Sequence, residues 1–300
     1  MGQISTLFVH KVVGVAVGSA PPDNARRRAL LESVGVDPEA PIDPKLMIRD
    51  IDYYGLCEQV ARESDLGVTL ALEVGSSMRC DDYGAFGLAW KSAVDLRGSY
   101  DRAVRYGRVL TSVSAYEVRS EEGRVFMMLH REGERRLGLR LSNEQTVVAI
   151  AQISREVCPV PFRPVAVFFK HPSPGCTRAH EEFFGCPVRF GQDRDALEIS
   201  AEALATPNRL GDATISEFFD AHMERELAEL SDEQGLAKRV RIQVSQSLSE
   251  GVPTVGEVAA RMGLSARTLQ RRLAALDFTF QALVDEARRQ LAERLLQRTD

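Results

Sequence analysis

The chain has 300 residues, a mass of 33.2 kDa, 44% hydrophobic and 27% charged residues, and a formal net charge of −5. This composition belongs to a globular protein with a sizeable core, and it excludes a collagen, a mucin and an acidic disordered chain. No apolar run approaches the ~20 residues of a bilayer-spanning helix, and residues 4–17 are interrupted by His10 and Lys11 without a small-residue cleavage site. No membrane association is therefore expected, and the expected location is the cytoplasm. The five cysteines (Cys57, Cys80, Cys158, Cys176 and Cys186) are widely spaced, as for free thiols in a reducing compartment.

Taken in chain order, residues 24–34 are charged and helix-compatible, and Gly35 stops them before a turn at Pro38. A second run after Pro44 places Leu56, Val60 and Glu63 at helical spacing and closes at Gly67. Residues 66–72 fit a short buried helix or a strand. Residues 84–90 open a further helix, where Gly84, Gly87 and Ala89 permit a close approach by another element, and residues 96–110 read as one more. The pattern then changes. Residues 112–118 and 125–129 look like strands joined across Glu121, Glu122 and Gly123, and residues 135–141 alternate in a strand-like way. Residues 145–157 favour a helix, 165–171 a strand, 177–184 a helix and 187–190 a strand. This order predicts an α+β domain, with a helical front and then mixed sheet and helices, over residues 1–210. Residues 211–235 form a helical connector ending in a linker at 231–235, which contains no apolar side chain. Residues 236–300 are expected to be all helical.

Charge follows the same division. Residues 236–300 carry 11 basic and 7 acidic side chains, net +4, whereas the first 235 carry 27 and 36, net −9. The basic part contains a single lysine, Lys238, and arginine suits bidentate contact with phosphate or guanine edges. Within it, Thr254 and Glu257 form a capping-box pattern ahead of an apolar face of Val255, Val258, Ala259 and Met262. Gly263 supplies a residue that accepts positive φ, Leu264 tucks into the angle, and Ser265 caps the next helix over residues 266–275, where Leu269 and Leu273 face back. Two short helices with a tight turn make a helix-turn-helix. Its second helix leaves Arg267, Gln270 and Arg271 at i, i+3 and i+4, suited to guanine and adenine edges in the major groove, with Arg272 directed toward phosphate or an intramolecular partner. An ordinary basic helical hairpin is the alternative. Turn chemistry, apolar spacing and the Arg/Gln face together favour DNA.

The run at residues 255–273, VGEVAARMGLSARTLQRRL, with Thr279, Phe280 and Gln281 and the helix that follows, resembles the AraC-type transcription regulators. The front resembles the arabinose-binding-type effector domain of one branch of that family, through residues 84–90, Tyr106 and residues 186–191. The resemblance implies an effector-responsive, sequence-specific DNA-binding regulator that is not an enzyme and uses no cofactor. Its partners would be promoter DNA and a small apolar or amphipathic effector, and it would act as a homodimer. Residue by residue, it places Arg267, Gln270 and Arg271 at base-reading positions, with Ser265 and the amino end of that helix near phosphate. It also suggests an effector wall containing Trp90, Tyr106, His171, Phe183 and Phe184. The family carries two helix-turn-helix units. Only the first and its joining helix are recognisable here, so the sequence reads as truncated after them, with the apolar face of Leu283, Ala287, Leu291 and Leu295 left without cover. Two other classes remain: a shortened regulator that pairs with related chains and antagonises them, and a small-molecule enzyme.

Other clusters have ordinary readings. His171, His180, Cys176 and Cys186 lie close in sequence but not at zinc spacing, which favours satisfied histidines and buried thiols over a metal. Asp81 and Asp82 diverge in direction, which favours a cap or solvation over acid–base work.

Overall fold

The computed structural model of the chain describes residues 2–18, 23–63, 66–131, 133–248, 251–274, 276 and 278–296. It divides into two compact units, Met1–Glu224 and Arg225–Asp300. The first contains β1 (Gln3–Ser5), α1 (Thr6–Val17), α2 (Asn24–Ser33), β2 (Met47–Arg49), α3 (Asp50–Glu63), α4 (Leu70–Ser76), α5 (Ala85–Ser92) and α6 (Leu96–Tyr106). Then come β3 (Ser114–Glu121), β4 (Arg124–Arg131), α7 (Leu137–Val157), β5 (Ala166–Phe168), α8 (Arg178–Phe184), β6 (Val188–Arg189), β7 (Asp195–Ile199) and α9 (Ala201–Leu204). Helix α10 (Ala213–Ser247) begins in the first unit and ends in the second, which adds α11 (Val255–Arg261), α12 (Ala266–Ala274) and α13 (Phe280–Leu296). The order is the expected one: a helical front, a mixed region, then helices alone.

Local chemistry sets the helix starts. Ser5 accepts from the Leu7 amide, Asp23 from Arg26 and Asp95 from Gly98, each satisfying an amide that the first helical turn leaves open. Helix α1 packs against α2, α3 and α4, burying Val9, Val12 and Val13 against Leu31, Cys57 and Val60. The five-stranded sheet has the order β3-β4-β7-β5-β6, antiparallel except for the β5–β6 pair. Strands β3 and β4 pair from Ser114 with Arg131 to Glu121 with Arg124. Their two-residue turn has φ of 50° at Glu122 and 79° at Gly123, the positive pair that matches strand twist in a tight hairpin. One sheet face buries Phe126, Phe168 and Ala196 beneath the guanidinium groups of Arg124, Arg189 and Arg194. Helix α7 touches α3 and α4 as well as β4 and β7, and so joins the helical front to the sheet.

Three local expectations change. Residues 135–141 are not a strand, because α7 starts at Leu137. The period-two leucines are overridden by Glu58 of α3. Its carboxylate takes two hydrogen bonds from Arg136, at 2.7 and 2.6 Å, and one from the Gly138 amide at 2.9 Å, which fills the helix start from outside. Gly138 also sits so near the Tyr54 carbonyl that an added Cβ would lie 2.2 Å from its oxygen. Residues 231–235 are helical within α10 rather than a linker. A polar run with no proline does not break a helix, and Gly235 costs only ~1 kcal/mol relative to alanine. Strand β7, unexpected because Asp195 and Glu198 interrupt its apolar pattern, is buried along its length. Asp195 accepts from the Lys170 amide at 2.9 Å, and Glu198 pairs with Arg124.

The second unit has its own core. Leu236, Val240 and Val244 of α10 meet Val258 and Ala259 of α11, Leu269 and Leu273 of α12, and Leu283, Val284 and Ala287 of α13. The apolar face of α13, expected to lack cover, is thus buried at Leu283 and Ala287. The Leu291 and Leu295 side chains lie outside the described residues.

Candidate functional site

The turn between α11 and α12 is built as its residues dictate. Thr254 accepts from the Glu257 amide at 3.3 Å, and the Glu257 carboxylate accepts from the Thr254 amide at 2.7 Å. Hydrogen bonds donated by the Thr254 amide and hydroxyl hold the Glu257 carboxyl below its ordinary range. Gly263 has φ of 69°; its amide reaches the Ala260 carbonyl at 3.1 Å, and the Leu264 amide reaches that of Ala259 at 2.9 Å. This pair of bonds closes a helix through a left-handed glycine and aims the chain into the next helix. Ser265 then accepts from the Thr268 amide at 3.1 Å.

Leu269 and Leu273 are fully buried, and that fixes which face of α12 points outward. Arg267, Gln270, Arg271 and Arg272 are all exposed, as is Ser265 at the helix start. At 3.6 residues per turn, Arg267, Gln270 and Arg271 fall within an arc of about 100°, whereas Arg272 is displaced about 100° from Arg271. The segment carries three arginines and no acid. Ala275, expected as its last residue, lies outside the described residues.

The first unit encloses an apolar cavity whose central free space is about 40 Å³, room for a few waters. Its wall includes Phe8 of α1, Tyr83, Phe86 and Trp90, and these rings form a connected chain with centroids 6.2, 5.8 and 6.3 Å apart. Ser142, Thr146, Ala149, Ile150 and Ile153 present one side of α7 to it at three- and four-residue spacing. Gln145 accepts from the Tyr53 hydroxyl at 2.6 Å, and burial pushes that phenol and the nearby Cys57 thiol up, the thiol to about 12. Gly87 lets α5 lie against the Cys80 carbonyl, where a Cβ would stand 1.7 Å from the oxygen; this is the close approach expected of the small residues here.

The five residues expected in an effector wall are not brought together. Trp90 lines the cavity. Tyr106 is buried on α6 with its hydroxyl toward Glu224, and its phenol is pushed up by burial and by that carboxylate. Phe183 and Phe184 border an open surface groove, with the Arg155 guanidinium 4.5 Å from the Phe183 ring. His171 belongs to a third place. Its Nε2 lies 2.9 Å from Glu144 Oε1, and His180 Nε2 lies 3.0 Å from Glu144 Oε2. Burial raises the Glu144 carboxyl, but hydrogen bonds and charge from the two histidines outweigh it, and its pKa falls to about 2. The expectation of satisfied histidines is met only in part, since His180 Nδ1 and His171 Nε2 are buried without a well-aligned hydrogen bond among the described residues, and of the two nearby thiols Cys176 is exposed and Cys186 half-buried. Among the described residues no group of three or more His, Cys, Asp or Glu is placed to hold a metal. Asp82 caps a short turn by accepting from the Arg79 amide at 2.7 Å and pairs with Lys11, while Asp81 pairs with Lys91. No helix of the described residues is long and apolar enough to cross a membrane.

Sequence reasoning missed most of the cavity. Phe8, Tyr53, Met78 and Arg131 come from separate elements. The one local signal, the repeat of small and hydroxyl side chains along residues 142–153, is indistinguishable from core packing until the fold is known.

A family described as the arabinose-binding domain of AraC transcription regulators, N-terminal, matches residues 25–208. The ornithine utilization regulator of Pseudomonas aeruginosa is 26% identical over 300 residues, spanning 97% of this chain and 87% of that protein. The HTH-type transcriptional regulator VirS of Mycobacterium tuberculosis is 29% identical over 128 residues, 43% of this chain and 37% of VirS. Among solved structures, the transcriptional regulator CdpR from Pseudomonas aeruginosa aligns over 93% of this chain and 87% of its own, with 20% identity and a TM-score of 0.48. The proteins it resembles are transcription regulators, not enzymes.

Proposed function

The chain belongs to the AraC transcription regulators that carry an arabinose-binding-type amino-terminal domain, and from that premise we propose that it reads specific DNA through α12 under control of a small molecule bound in its first unit. The observation that carries the reading is the exposed face of Arg267, Gln270 and Arg271, oriented by buried Leu269 and Leu273 behind a helix-turn-helix corner. Arginine pairs with guanine O6 and N7, and glutamine with adenine N6 and N7, so this face supplies direct readout. Ser265, the first amides of α12 and Arg272 supply phosphate contacts, which position the helix without choosing sequence. Two copies would set two α12 helices on successive turns of the major groove and multiply both kinds of contact.

Control by an effector requires that the ligand bind two arrangements of the protein unequally. Such coupling is typically about 1–3 kcal/mol, a change of roughly 5- to 150-fold in DNA affinity. The cavity beside Trp90 is the site proposed for that ligand. Fluorescence anisotropy with DNA from upstream of its own gene tests the reading. Saturable binding that falls steeply with salt and exceeds binding to scrambled DNA is the expected result; equal affinity for the two sequences refutes it.

A further inference from the structure

The cavity wall carries one charge among the described residues. Every lining side chain is apolar or neutral except Arg131, the last residue of β4. Its Nε donates to Ser114 Oγ at 2.7 Å, its Nη1 to Ser142 Oγ, and its Nη2 to Thr146 Oγ1 at 3.1 Å. No carboxylate of the described residues pairs with it. Two other arginines of the same unit are treated differently. Arg124, at the opposite end of the same strand, grips both oxygens of Glu198, and Arg136 grips both of Glu58. The remaining polar groups on the wall do not supply a counter-charge, since burial keeps the phenols of Tyr53, Tyr83 and Tyr116 protonated.

A cation beside low-dielectric space is costly without an anion, and a guanidinium fork fits a carboxylate with two parallel hydrogen bonds. The Ser142 hydroxyl can rotate to donate to the same anion, while that of Thr146 is given to the Ser142 carbonyl at 2.8 Å. Beyond that polar end the wall is aromatic and aliphatic, and Trp90 adds a buried indole N–H that has no partner among the described residues. We propose that this cavity takes a small amphipathic monocarboxylate, with its carboxylate on Arg131 and its apolar body among Phe8, Tyr83, Phe86 and Trp90. The assignment deepens, and rests on, the reading of the first unit as an effector domain. Because the free space is about 40 Å³, the ligand enters by displacing side chains, of which the flexible thioether of Met78 is the softest on the wall. A ligand that must move its walls has the differential affinity that an effector needs.

Trp90 is the single tryptophan of the chain, so intrinsic fluorescence reports on the cavity directly. The full-length protein is titrated with hexanoate, decanoate and benzoate, and with hexanol, decanol and benzyl alcohol as neutral counterparts. At least one acid is expected to bind saturably, about tenfold or more tighter than its alcohol, and Arg131→Gln is expected to bring the two within about twofold. Arg131→Lys, which keeps the charge and loses the fork, falls between. Acids and alcohols binding alike, no saturable acid signal, or a preference that survives Arg131→Gln overturns the assignment. The comparison on the unsubstituted protein decides it even if the variants do not fold. Anisotropy on upstream DNA, with and without the acids, separates this from the functional reading. Arg131-dependent acid binding that leaves DNA affinity unmoved sustains the ligand assignment and counts against effector control. Specific DNA binding with no acid signal at Trp90 overturns the assignment and leaves the regulator reading standing.

Discussion

Leu269 and Gln270 are neighbours on α12 with opposite predicted consequences. Leu269 is completely buried between α11, α12 and α13, and replacing it with alanine removes a packed side chain from a small core. The expected loss is about 2–5 kcal/mol of stability, depending on how far the site collapses. Gln270 is exposed, so Gln270→Ala should shift stability by no more than about 0.5 kcal/mol. A bidentate contact from glutamine to adenine is worth about 1–3 kcal/mol of discrimination, so the same change should weaken specific DNA about 5- to 150-fold and non-specific DNA little. Arg272→Ala provides the complementary control. If Arg272 meets phosphate, its removal lowers affinity for all sequences alike and reduces the slope of log affinity against log salt by about one, whereas Gln270→Ala, which is neutral, leaves the slope unchanged. Thermal melts and salt-resolved anisotropy on the full chain measure all three. Gln270→Ala with full operator affinity, or with a melting loss like that of Leu269→Ala, would refute the orientation of α12 on which the argument rests.

Thr254→Ala removes the side-chain half of the capping box and should cost about 1 kcal/mol in chemical denaturation; an unchanged midpoint would show that the box adds nothing. Glu144 has a folded-state pKa of about 2 against an ordinary 4.5, so its contribution is fully present above about pH 5 and is lost as pH falls toward 2. Urea unfolding should show up to about 3 kcal/mol of acid-dependent loss from this site, absent in Glu144→Gln; parallel pH profiles for the two proteins would contradict it. Gly87→Ala should destabilise by about 1–3 kcal/mol or more, because its Cβ would meet the Cys80 carbonyl. Gly14→Ala, in open space on α1, should stabilise by roughly 0.5–1 kcal/mol, so the pair separates steric from conformational effects in a single melting experiment.

The helix-turn-helix was legible because its determinants are local. A capping box, a glycine at the turn and apolar residues at i and i+4 all lie within twenty residues, and each acts on its near neighbours in the chain. The strands around Glu122 and Gly123 were legible for the same reason. Helix α7 was misread at its start because the group that caps it, Glu58, is about eighty positions away in the chain. The buried strand β7 was missed because Asp195 and Glu198 break its apolar pattern, and their partners, Lys170 and Arg124, come from other elements. The cavity was illegible on the same ground. Trp90 was singled out, but nothing local connects it with Phe8, Tyr83 or Arg131, and nothing local sends His171 to Glu144 instead.

The arginines of α12 and Arg131, which have no carboxylate partner among the described residues, differ in physical standing. On α12, Arg267, Arg271 and Arg272 are in water, where hydration satisfies an unpaired guanidinium and its isolation costs almost nothing. Their charge alone implies no ligand. It gains meaning from the helix-turn-helix corner, which fixes the direction in which the three side chains project, and from the spacing that fits base edges. Arg131 stands at the wall of an apolar space, where hydration is incomplete and three hydroxyls offer dipoles but no net charge. Elsewhere in the unit, the largely buried carboxylates of Glu144, Glu198 and Glu58 meet the guanidinium groups of Arg140, Arg124 and Arg136. Arg131 departs from that pattern at the wall of the apolar cavity, where an entering anion would meet it. Geometry points the α12 arginines at a ligand, whereas the energy of an unpaired cation does so for Arg131. The first therefore predicts effects on sequence preference with little change in stability. The second predicts that a bound carboxylate should raise the stability of the first unit in proportion to its occupancy, through preferential binding to the folded state.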